Sequence, residues 1–168
     1  MFGGGTVGGG VYEIIMDRLK ATMGKQTPKM TLSKICVRDL SKPRSFHIHE
    51  GDTQLVTDIN AILDDESIDL VVEVMGGTGL AWNVVSSSMK KGKHVVTANK
   101  ALIAKHLDDI QQLSQQHKVQ FSYEAAVCGG IPIIHTLQSC YAGDIIHQVM
   151  VRQYSIIHSL YAKNQVHY

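Results

Sequence analysis

The sequence begins Met1-Phe2-Gly3-Gly4-Gly5-Thr6-Val7-Gly8, and Gly3, Gly5 and Gly8 satisfy the spacing G-x-G-x-x-G. In dinucleotide-binding folds this spacing provides a tight turn, a close approach of the backbone to a pyrophosphate, and close packing of a helix on its sheet. A glycine-rich terminus without regular structure satisfies the same spacing. The motif alone therefore leaves both interpretations open.

The residues before the glycines do not fit a dinucleotide-binding fold, whereas the residues after them do. Only Met1 and Phe2 precede them, so we expect no first strand and a sheet that lacks its central strand. Behind them, apolar residues recur at helical spacing and predict a helix over residues 6–23, ended by Gly24 and followed by a loop at residues 25–29. The first N–H groups of that helix would hold a phosphate.

Strands and helices alternate along the rest of the chain. Strands are predicted at residues 32–37, 69–75, 94–97 and 119–123, where apolar and β-branched residues cluster. Helices are predicted after Thr57 or Asp58, at residues 80–91 and at residues 101–117, with a surface loop at residues 40–53. This alternation predicts an α/β fold with a mostly parallel sheet that is covered on both faces.

The charge balance and the cysteines limit the classes of partner and compartment. Lys plus Arg total 16 and Asp plus Glu total 15, a net charge of +1, so no overall field attracts nucleic acid or an anionic membrane. A small molecule or another protein is the expected partner. The odd, widely spaced cysteines Cys36, Cys128 and Cys140 fit free thiols in a reducing compartment. Because neither a membrane span nor a signal peptide is evident, we expect a cytoplasmic protein.

Five segments carry a family resemblance. They are Gly5-Thr6-Val7-Gly8, the basic segment at residues 37–44, Val72-Glu73-Val74-Met75-Gly76-Gly77, Val95-Val96-Thr97-Ala98-Asn99-Lys100-Ala101-Leu102, and the block at residues 123–132. In this order, covering residues 3–149, they resemble homoserine dehydrogenase. That family interconverts L-aspartate 4-semialdehyde and L-homoserine with NAD(P)H, in the synthesis of threonine, methionine and isoleucine.

The resemblance implies a Rossmann-like, doubly wound sheet, incomplete at its first strand, with the start of a second, substrate-binding domain. We expect an NAD(P)-binding domain at residues 1–125, the start of the substrate and dimerisation region at residues 126–149, and an unrecognised tail at residues 150–168. The family's second catalytic lysine and its substrate-binding carboxylates lie beyond this point. Because these groups are missing from this stretch, we expect no turnover from these residues alone. The resemblance also implies a homodimer for the full enzyme. The alternative is a non-catalytic product that binds nucleotide or another subunit.

Lys100 is the residue to which the resemblance assigns catalysis. The matching lysine of the family contacts the nicotinamide end of the cofactor beside the reacting carbonyl. A lysine at the entry to a helix faces the positive end of the helix dipole, and we expect partial burial to lower its pKa further, toward proton transfer. An ordinary surface lysine is the alternative.

The expected cofactor is NADP, with NAD as the alternative. Arg38, with Lys42 and Arg44 nearby, follows the second strand of a Rossmann fold, where arginine accommodates a 2′-phosphate and an acid such as Asp39 favours a free ribose hydroxyl. For Lys42 and Arg44, a solvated loop is an equal alternative. The full set of expected cofactor-binding residues is Gly3, Gly5, Thr6, Val7, Gly8, Arg38, Gly76, Gly77, Thr97, Asn99 and Lys100.

The resemblance also implies a structural monovalent cation, such as sodium, held largely by backbone carbonyls. The matching positions are Glu124, Val127, Gly129 and Ile131. Carbonyl oxygens are hard ligands that suit such an ion. The alternative is that the glycines here only form the turn into a helix. The string His47-x-His49-Glu50 is interpreted as a solvated loop rather than a metal site, since no second ligand cluster accompanies it.

Overall fold

The computed structural model describes residues 1–21, 30–48, 51 and 53–149. The predicted end of the first helix and the loop behind it, at residues 22–29, lie outside the described residues, as do His49, Glu50 and the tail at residues 150–168. Four predictions from the sequence therefore remain predictions. They are the helix end at residue 23, the loop at residues 25–29, the solvated string, and the separate tail.

The described chain alternates between helices and strands, as predicted. The elements are α1 Thr6–Ala21, β1 Lys34–Cys36, β2 Gln54–Val56, α2 Asn60–Leu63, β3 Leu70–Glu73, α3 Gly79–Lys90, β4 His94–Thr97, α4 Lys100–His117, β5 Phe121–Ser122, α5 Glu124–Cys128 and α6 Ile133–His135, which continues into a π-helical turn, Thr136–Cys140. The predicted helices at residues 80–91 and 101–117 are confirmed within one residue at each end.

All strand pairs are parallel. β1 pairs with β2, β3 pairs with β4, and β4 pairs with β5. Phe2 joins the two halves through bridges to Cys36 of β1 and Glu73 of β3. The sheet therefore runs β2-β1-Phe2-β3-β4-β5, the order of a Rossmann fold with Phe2 in the place of the first strand.

The expectation that the sheet lacks its central strand needs correction. Met1 and Phe2 do not form a regular strand, but they fill its position and are fully buried. Phe2 N donates to Val72 O at 2.8 Å, Val74 N donates to Phe2 O at 2.9 Å, and Cys36 N donates to Met1 O at 2.8 Å. The amino group of Met1 donates to a carbonyl oxygen of β1, and burial lowers its pKa to about 5. Two residues suffice because the buried strands on each side supply the hydrogen-bonding partners.

Both faces of the sheet are covered, which confirms the doubly wound α/β fold. Successive residues of a strand point to opposite faces; in β3, Val71 belongs to one core cluster while Val72 packs against the other. The first cluster contains side chains of α2, α3 and α4, including Ile62, Val84, Leu102 and Ile110. The second contains Tyr12 of α1 and Phe46, whose rings lie 5.4 Å apart.

Two local features differ from the sequence prediction. Residues 40–53 were predicted as a surface loop, yet Phe46 within it is buried against α1. The strand β2 follows this loop and was not predicted, because three residues carry too little pattern to be recognised. Its position is set by tertiary contacts: Gln54 N donates to Ser33 O at 2.8 Å, and Thr53 Oγ1 donates to Leu32 O at 2.6 Å. Among the described residues, no helix is long and apolar enough to cross a membrane.

Candidate functional site

The carboxyl ends of the central strands form a crevice at the point where the chain changes direction in the sheet. From Phe2 the chain passes to β1 and β2 on one side, and then crosses to β3, β4 and β5 on the other. Ligands of open α/β sheets bind outside the carboxyl ends of the strands at such a switch point. Here the glycine loop at residues 3–8 meets the loop that follows β3 and the start of α4.

The three motif glycines have three different environments. Gly3 has a φ of +108°, and a Cβ there would lie 2.8 Å from Val74 O, so both the turn and the contact with the β3 end require glycine. A Cβ on Gly8 would collide with the carbonyl oxygen of Gly3. A Cβ on Gly5 would meet nothing within 4 Å. The tight turn, the open backbone and the close helix packing are therefore each provided by one glycine.

This loop fits a pyrophosphate group. Helix α1 begins at Thr6, directly behind the open backbone of Gly5, so the first helical N–H groups and the helix dipole face the crevice. Thr6 and Val7 are exposed, and Val7 keeps 56% of its surface. The glycine-rich start is a structured turn into a helix, and the alternative of an unstructured terminus is wrong.

A second glycine pair lies across the crevice. Gly76 and Gly77 follow β3 with φ values of 78° and 72°, which favour glycine, and a Cβ on either would meet nothing within 4 Å. The carbonyl oxygen of Gly77 accepts a hydrogen bond from Asn99 Nδ2 at 2.7 Å. The end of β3 and the end of β4 are thus tied together at the crevice.

Thr97, at the end of β4, and Asn99, just beyond it, belong to a buried polar network. Thr97 is fully buried and Asn99 nearly so. Asn99 N donates to Thr97 Oγ1 at 3.0 Å, and Asn99 Oδ1 caps α4 by accepting from Leu102 N at 3.1 Å. The network also contains Glu73, a buried carboxylate that the sequence interpretation did not single out. The signal was present, because Glu73 is the only charged residue of the strand Leu70–Glu73.

Lys100 is the first residue of α4, directly after the cap residue Asn99. The predicted position at a helix entry is confirmed. The predicted partial burial is wrong, since the side chain of Lys100 is exposed. The reason is geometric: Leu102 and Ile103 of the same turn are buried in the core, so Lys100 lies on the face of α4 that is turned to solvent.

The loop after β1 presents Arg38 to solvent. Arg38 and Asp39 are both exposed, two and three residues beyond the end of β1. Asp39 Oδ1 accepts hydrogen bonds from the backbone N–H and the hydroxyl of Ser41, at 2.8 and 2.7 Å, and these bonds lower the pKa of the Asp39 carboxyl. One oxygen of this acid is therefore committed inside the loop, while the guanidinium of Arg38 projects outward.

Arg44 stabilises this loop from within. Its guanidinium donates to the carbonyl oxygens of Asp39, Leu40 and Lys42 at 2.6, 3.3 and 2.8 Å. A Cβ on Gly4 would lie 3.5 Å from its Nε, so Arg44 also contacts the glycine loop. Of the three cations considered for a 2′-phosphate, Arg44 has a loop-stabilising role, and Arg38 and Lys42 are the exposed ones.

Of the positions considered for a cation, Glu124 and Val127 lie in α5, and Gly129 and Ile131 lie in the turn after it. Both oxygens of the Glu124 side chain accept backbone N–H groups, from Ile134 at 2.7 Å and His135 at 3.0 Å. Ile131 O accepts from Ile133 N at 2.8 Å, and Gly129 has a φ of 59°. The carboxylate of Glu124 thus joins α5 to α6, which leaves backbone carbonyls as the donor set for an ion. Within the described ranges, no group of three His, Cys, Asp or Glu side chains is arranged to hold a metal.

A cavity of about 460 Å³ lies at the amino ends of the strands β3 and β4, on the side of the sheet away from the crevice, between the end of α2 and the start of β4. Lys93 there is buried, and its ammonium donates to the carbonyl oxygens of Asp65 and Ile68 at 2.6 and 2.9 Å. Lys34 forms an ion pair with Asp65 at 2.7 Å, and this hydrogen bond holds the pKa of the Asp65 carboxyl well below its usual range. Because both lysines are bound to carbonyl oxygens or to the Asp65 carboxylate near the end of α2, we assign this region a structural role and not a ligand-binding one.

The family of the chain is evident from comparison with known proteins. The family model described as "Homoserine dehydrogenase, NAD binding domain" matches residues 3–124. The chain is 34% identical to the homoserine dehydrogenase of Bacillus subtilis over 150 residues, and 38% identical to that of Synechocystis over 152 residues. Each alignment covers 89% of this chain and 34% of the relative.

Solved structures give the same result. The chain superposes on a homoserine dehydrogenase from Thiobacillus denitrificans with a TM-score of 0.75 at 36% identity, covering 84% of this chain and 32% of that one. For the Staphylococcus aureus enzyme at pH 7.5 the TM-score is 0.70 at 38% identity, over 75% of this chain and 32% of that one. The chain spans about a third of the length of the relatives it matches.

Proposed function

Because the chain belongs to the homoserine dehydrogenase family through its NAD-binding domain, we propose that it binds NADP(H) for the interconversion of L-aspartate 4-semialdehyde and L-homoserine. The observation that carries the proposal is the glycine cradle. The turn at Gly3, the open backbone at Gly5 and the contact between Gly8 and Gly3 O together leave room for a pyrophosphate at the start of α1.

Different residues of the crevice would bind different parts of the cofactor. Gly5, Thr6 and Val7 would bind the pyrophosphate through backbone N–H groups, and Gly76 and Gly77 leave space at the nicotinamide side. When bound, the nicotinamide supplies or accepts a hydride. Lys100 binds the carbonyl oxygen of the semialdehyde and donates a proton to it as that oxygen becomes the hydroxyl of homoserine. The exposed position of Lys100 at the crevice mouth leaves its ammonium accessible to such a substrate.

Preference for NADP over NAD is supported by the loop after β1. Arg38 projects from this loop with its guanidinium exposed, while one oxygen of the neighbouring acid, Asp39, is held by Ser41. A guanidinium recognises a phosphate through paired, charge-assisted hydrogen bonds. Lys42 is exposed in the same loop and adds positive charge near the same phosphate.

Three further assignments complete the proposal. A monovalent cation such as sodium is bound by backbone carbonyls among Val127, Gly129 and Ile131, near the Glu124 side chain that joins α5 to α6. The full enzyme is a homodimer. The compartment is the cytoplasm, which the free thiols of the described cysteines support.

The test is an assay of the 168-residue chain with NADPH and L-aspartate 4-semialdehyde. Turnover above that of a Lys100→Ala variant would establish the activity for this chain. The second candidate is nucleotide or subunit binding without turnover. It is favoured by the coverage, since the chain spans about a third of its relatives and hydride transfer requires an oriented substrate. NADPH binding without turnover selects this second function in its nucleotide-binding form, and a chain that does not bind NADPH contradicts both the enzyme and the nucleotide-binding function.

A further inference from the structure

Glu73 is a buried acid without a charged partner among its hydrogen bonds. It is the last residue of β3, and its side chain has no exposed surface. Its Oε1 accepts from Met75 N at 2.8 Å and, over a longer contact, from Asn99 Nδ2 at 3.4 Å. Its Oε2 accepts from Thr97 Oγ1 at 2.6 Å. All three donors are neutral groups.

Stability alone gives no reason for a carboxylate at this position. Removing an acid from water is costly, and hydrogen bonds to neutral donors recover only part of the cost. Apolar side chains of similar size at buried ionic positions are often neutral or stabilising. The other side chains of β3 are apolar, so an apolar residue would suit Glu73's position in the sheet. The carboxylate is explained by what it holds in place.

Glu73 holds together the segments that border the crevice. Through Met75 N it fixes the entry to the loop that carries Gly76 and Gly77. Through Thr97 it fixes the end of β4, and through Asn99 it reaches the first turn of α4. Asn99 joins the same segments a second time, because it donates to Gly77 O and caps α4 at Leu102 N.

We propose that Glu73 is a positioning residue for the nicotinamide end of the site, acting through Thr97 and Asn99 to hold the 75–77 loop and the start of α4 in register. Lys100 follows Asn99 directly, so the orientation of this network sets where the lysine stands at the crevice mouth. The proposal rests on the proposed function. It adds a specific claim: Glu73 supports the nicotinamide end, and the adenosine end does not depend on it.

The substitution Glu73→Gln keeps the shape of the side chain but replaces one acceptor oxygen with an NH₂ donor. A glutamine has one acceptor oxygen and one NH₂ donor. If its oxygen stays with Met75 N, its NH₂ faces the hydroxyl of Thr97, which then loses the acceptor for its own proton. The network is predicted to rearrange between β3 and β4 while the volume of the core is unchanged.

The experiment compares two ligands on the 168-residue chain. NADPH spans the whole site, whereas 2′-phospho-ADP-ribose carries the adenosine and pyrophosphate groups without the nicotinamide. We expect Glu73→Gln to weaken NADPH binding at least tenfold and to change the affinity for 2′-phospho-ADP-ribose less than twofold. The fluorescence of bound NADPH, which reports the surroundings of the nicotinamide, should move toward that of the free cofactor.

The matched control is Lys93→Met. Lys93 is also a buried charged group, and it lies just before the amino end of β4, away from the crevice. Its loss should lower the melting temperature but change the affinities for NADPH and 2′-phospho-ADP-ribose by the same factor. Thr97→Val removes the donor to Glu73 Oε2 at nearly constant shape, and it carries the test if Glu73→Gln does not fold. Equal weakening of both ligands, or of neither, overturns the proposal. A wild-type chain that binds neither ligand overturns the proposed function instead.

Discussion

The three motif glycines show how one residue type performs different functions at different positions, and alanine substitutions separate them. At Gly5 a Cβ meets nothing within 4 Å, so we expect Gly5→Ala to fold normally but to bind NADPH about tenfold more weakly, as its methyl group stands where the pyrophosphate approaches. At Gly8 a Cβ collides with Gly3 O, so Gly8→Ala should lower the free energy of unfolding by about 1–3 kcal/mol. Calorimetry and NADPH titration measure the two effects.

Gly10 supplies the control for this pair. It lies inside α1, and a Cβ there also meets nothing within 4 Å. Gly10→Ala should therefore raise stability by about 0.5–1 kcal/mol, the helix-propensity gain over glycine. A Gly5→Ala chain with unchanged NADPH affinity would show that the cofactor does not approach the loop at this residue.

Arg38 is the residue that we propose to select NADP over NAD. We expect Arg38→Ala to weaken NADPH binding about 10- to 100-fold, since hydrogen bonds to charged groups contribute about 1.5–3 kcal/mol. NADH lacks the 2′-phosphate, so its affinity should not fall. Fluorescence titration with both nucleotides measures the ratio. Lys90→Ala removes one exposed positive charge at the far end of α3 and should leave the ratio unchanged; a similar loss for both nucleotides in Arg38→Ala would refute the assignment.

At the scale of elements, the central strand position is the least complete part of the sheet. Its neighbours β3 and β1 begin at Leu70 and Lys34, ahead of the residues that bridge to Phe2. Because Phe2 lies opposite Glu73 and Cys36, a Val-Lys-Val extension before Met1 should run beside Val71 and Leu70 of β3 and beside Lys34 of β1. It should raise the free energy of unfolding by about 1–3 kcal/mol, from net hydrogen bonds of about 0.5–1.5 kcal/mol each. Denaturant titration measures the gain, and a Gly-Ser-Gly extension of equal length should give a smaller one.

The same extension should change the pH dependence of stability. Burial lowers the pKa of the Met1 amino group from 8.0 to about 5. Between these values the unfolded chain binds more protons than the folded one, so the stability of the 168-residue chain rises from pH 5 to pH 8. Either extension moves the amino group out of the sheet and should flatten this rise. A slope that persists in both extended chains would assign the effect to another group.

The elements that sequence could predict are those with a long or repeated pattern. The helices α3 and α4 carry helical apolar spacing and clear ends at Gly92 and Asn99, and the strand β4 was predicted at its observed bounds. The strand β2 was not predicted, because its three residues are defined by pairing with β1. For the central position, sequence indicated that a strand was missing. It could not show that the neighbours bind Met1 and Phe2 strongly enough to fill it.

The candidate site was predictable for its glycines and less so for its side chains. Motif spacing gave Gly3, Gly5 and Gly8, whose environments then differed as three separate packing requirements demand. The exposure of Lys100 depends on which face of the first turn of α4 packs on the core, and tertiary contacts of Leu102 and Ile103 decide that. The proposed role of Glu73 depends on donors from the end of β4 and the cap of α4, which are more than twenty residues away. Such contacts become visible only when the strands are placed side by side.

For the whole molecule, the packing of α5 shows how far the core of the sheet domain extends along the described chain. Ala126 of α5 belongs to the core cluster formed by α3 and α4, so α5 packs against the sheet domain. Beyond it, large apolar side chains are exposed: Ile131 keeps 64% of its surface and Ile145 keeps 83%. The predicted change of domain near residue 125 stays a prediction.

Ligand binding should be visible in the stability of the entire chain. Its strands have only two to four residues, so we expect a melting temperature below about 50 °C, the lower part of the range for mesophilic domains. NADPH at about a hundred times its dissociation constant should add about 2.7 kcal/mol by mass action, which raises Tm by about 5–11 °C for a chain of this size. NADH at the same concentration should raise it less. Gly5→Ala, with about tenfold weaker binding, should lose about half of the shift. If NADPH leaves Tm unchanged at saturating concentration, the crevice at the switch point does not bind the cofactor, and the glycine cradle serves only the packing of α1 on the sheet.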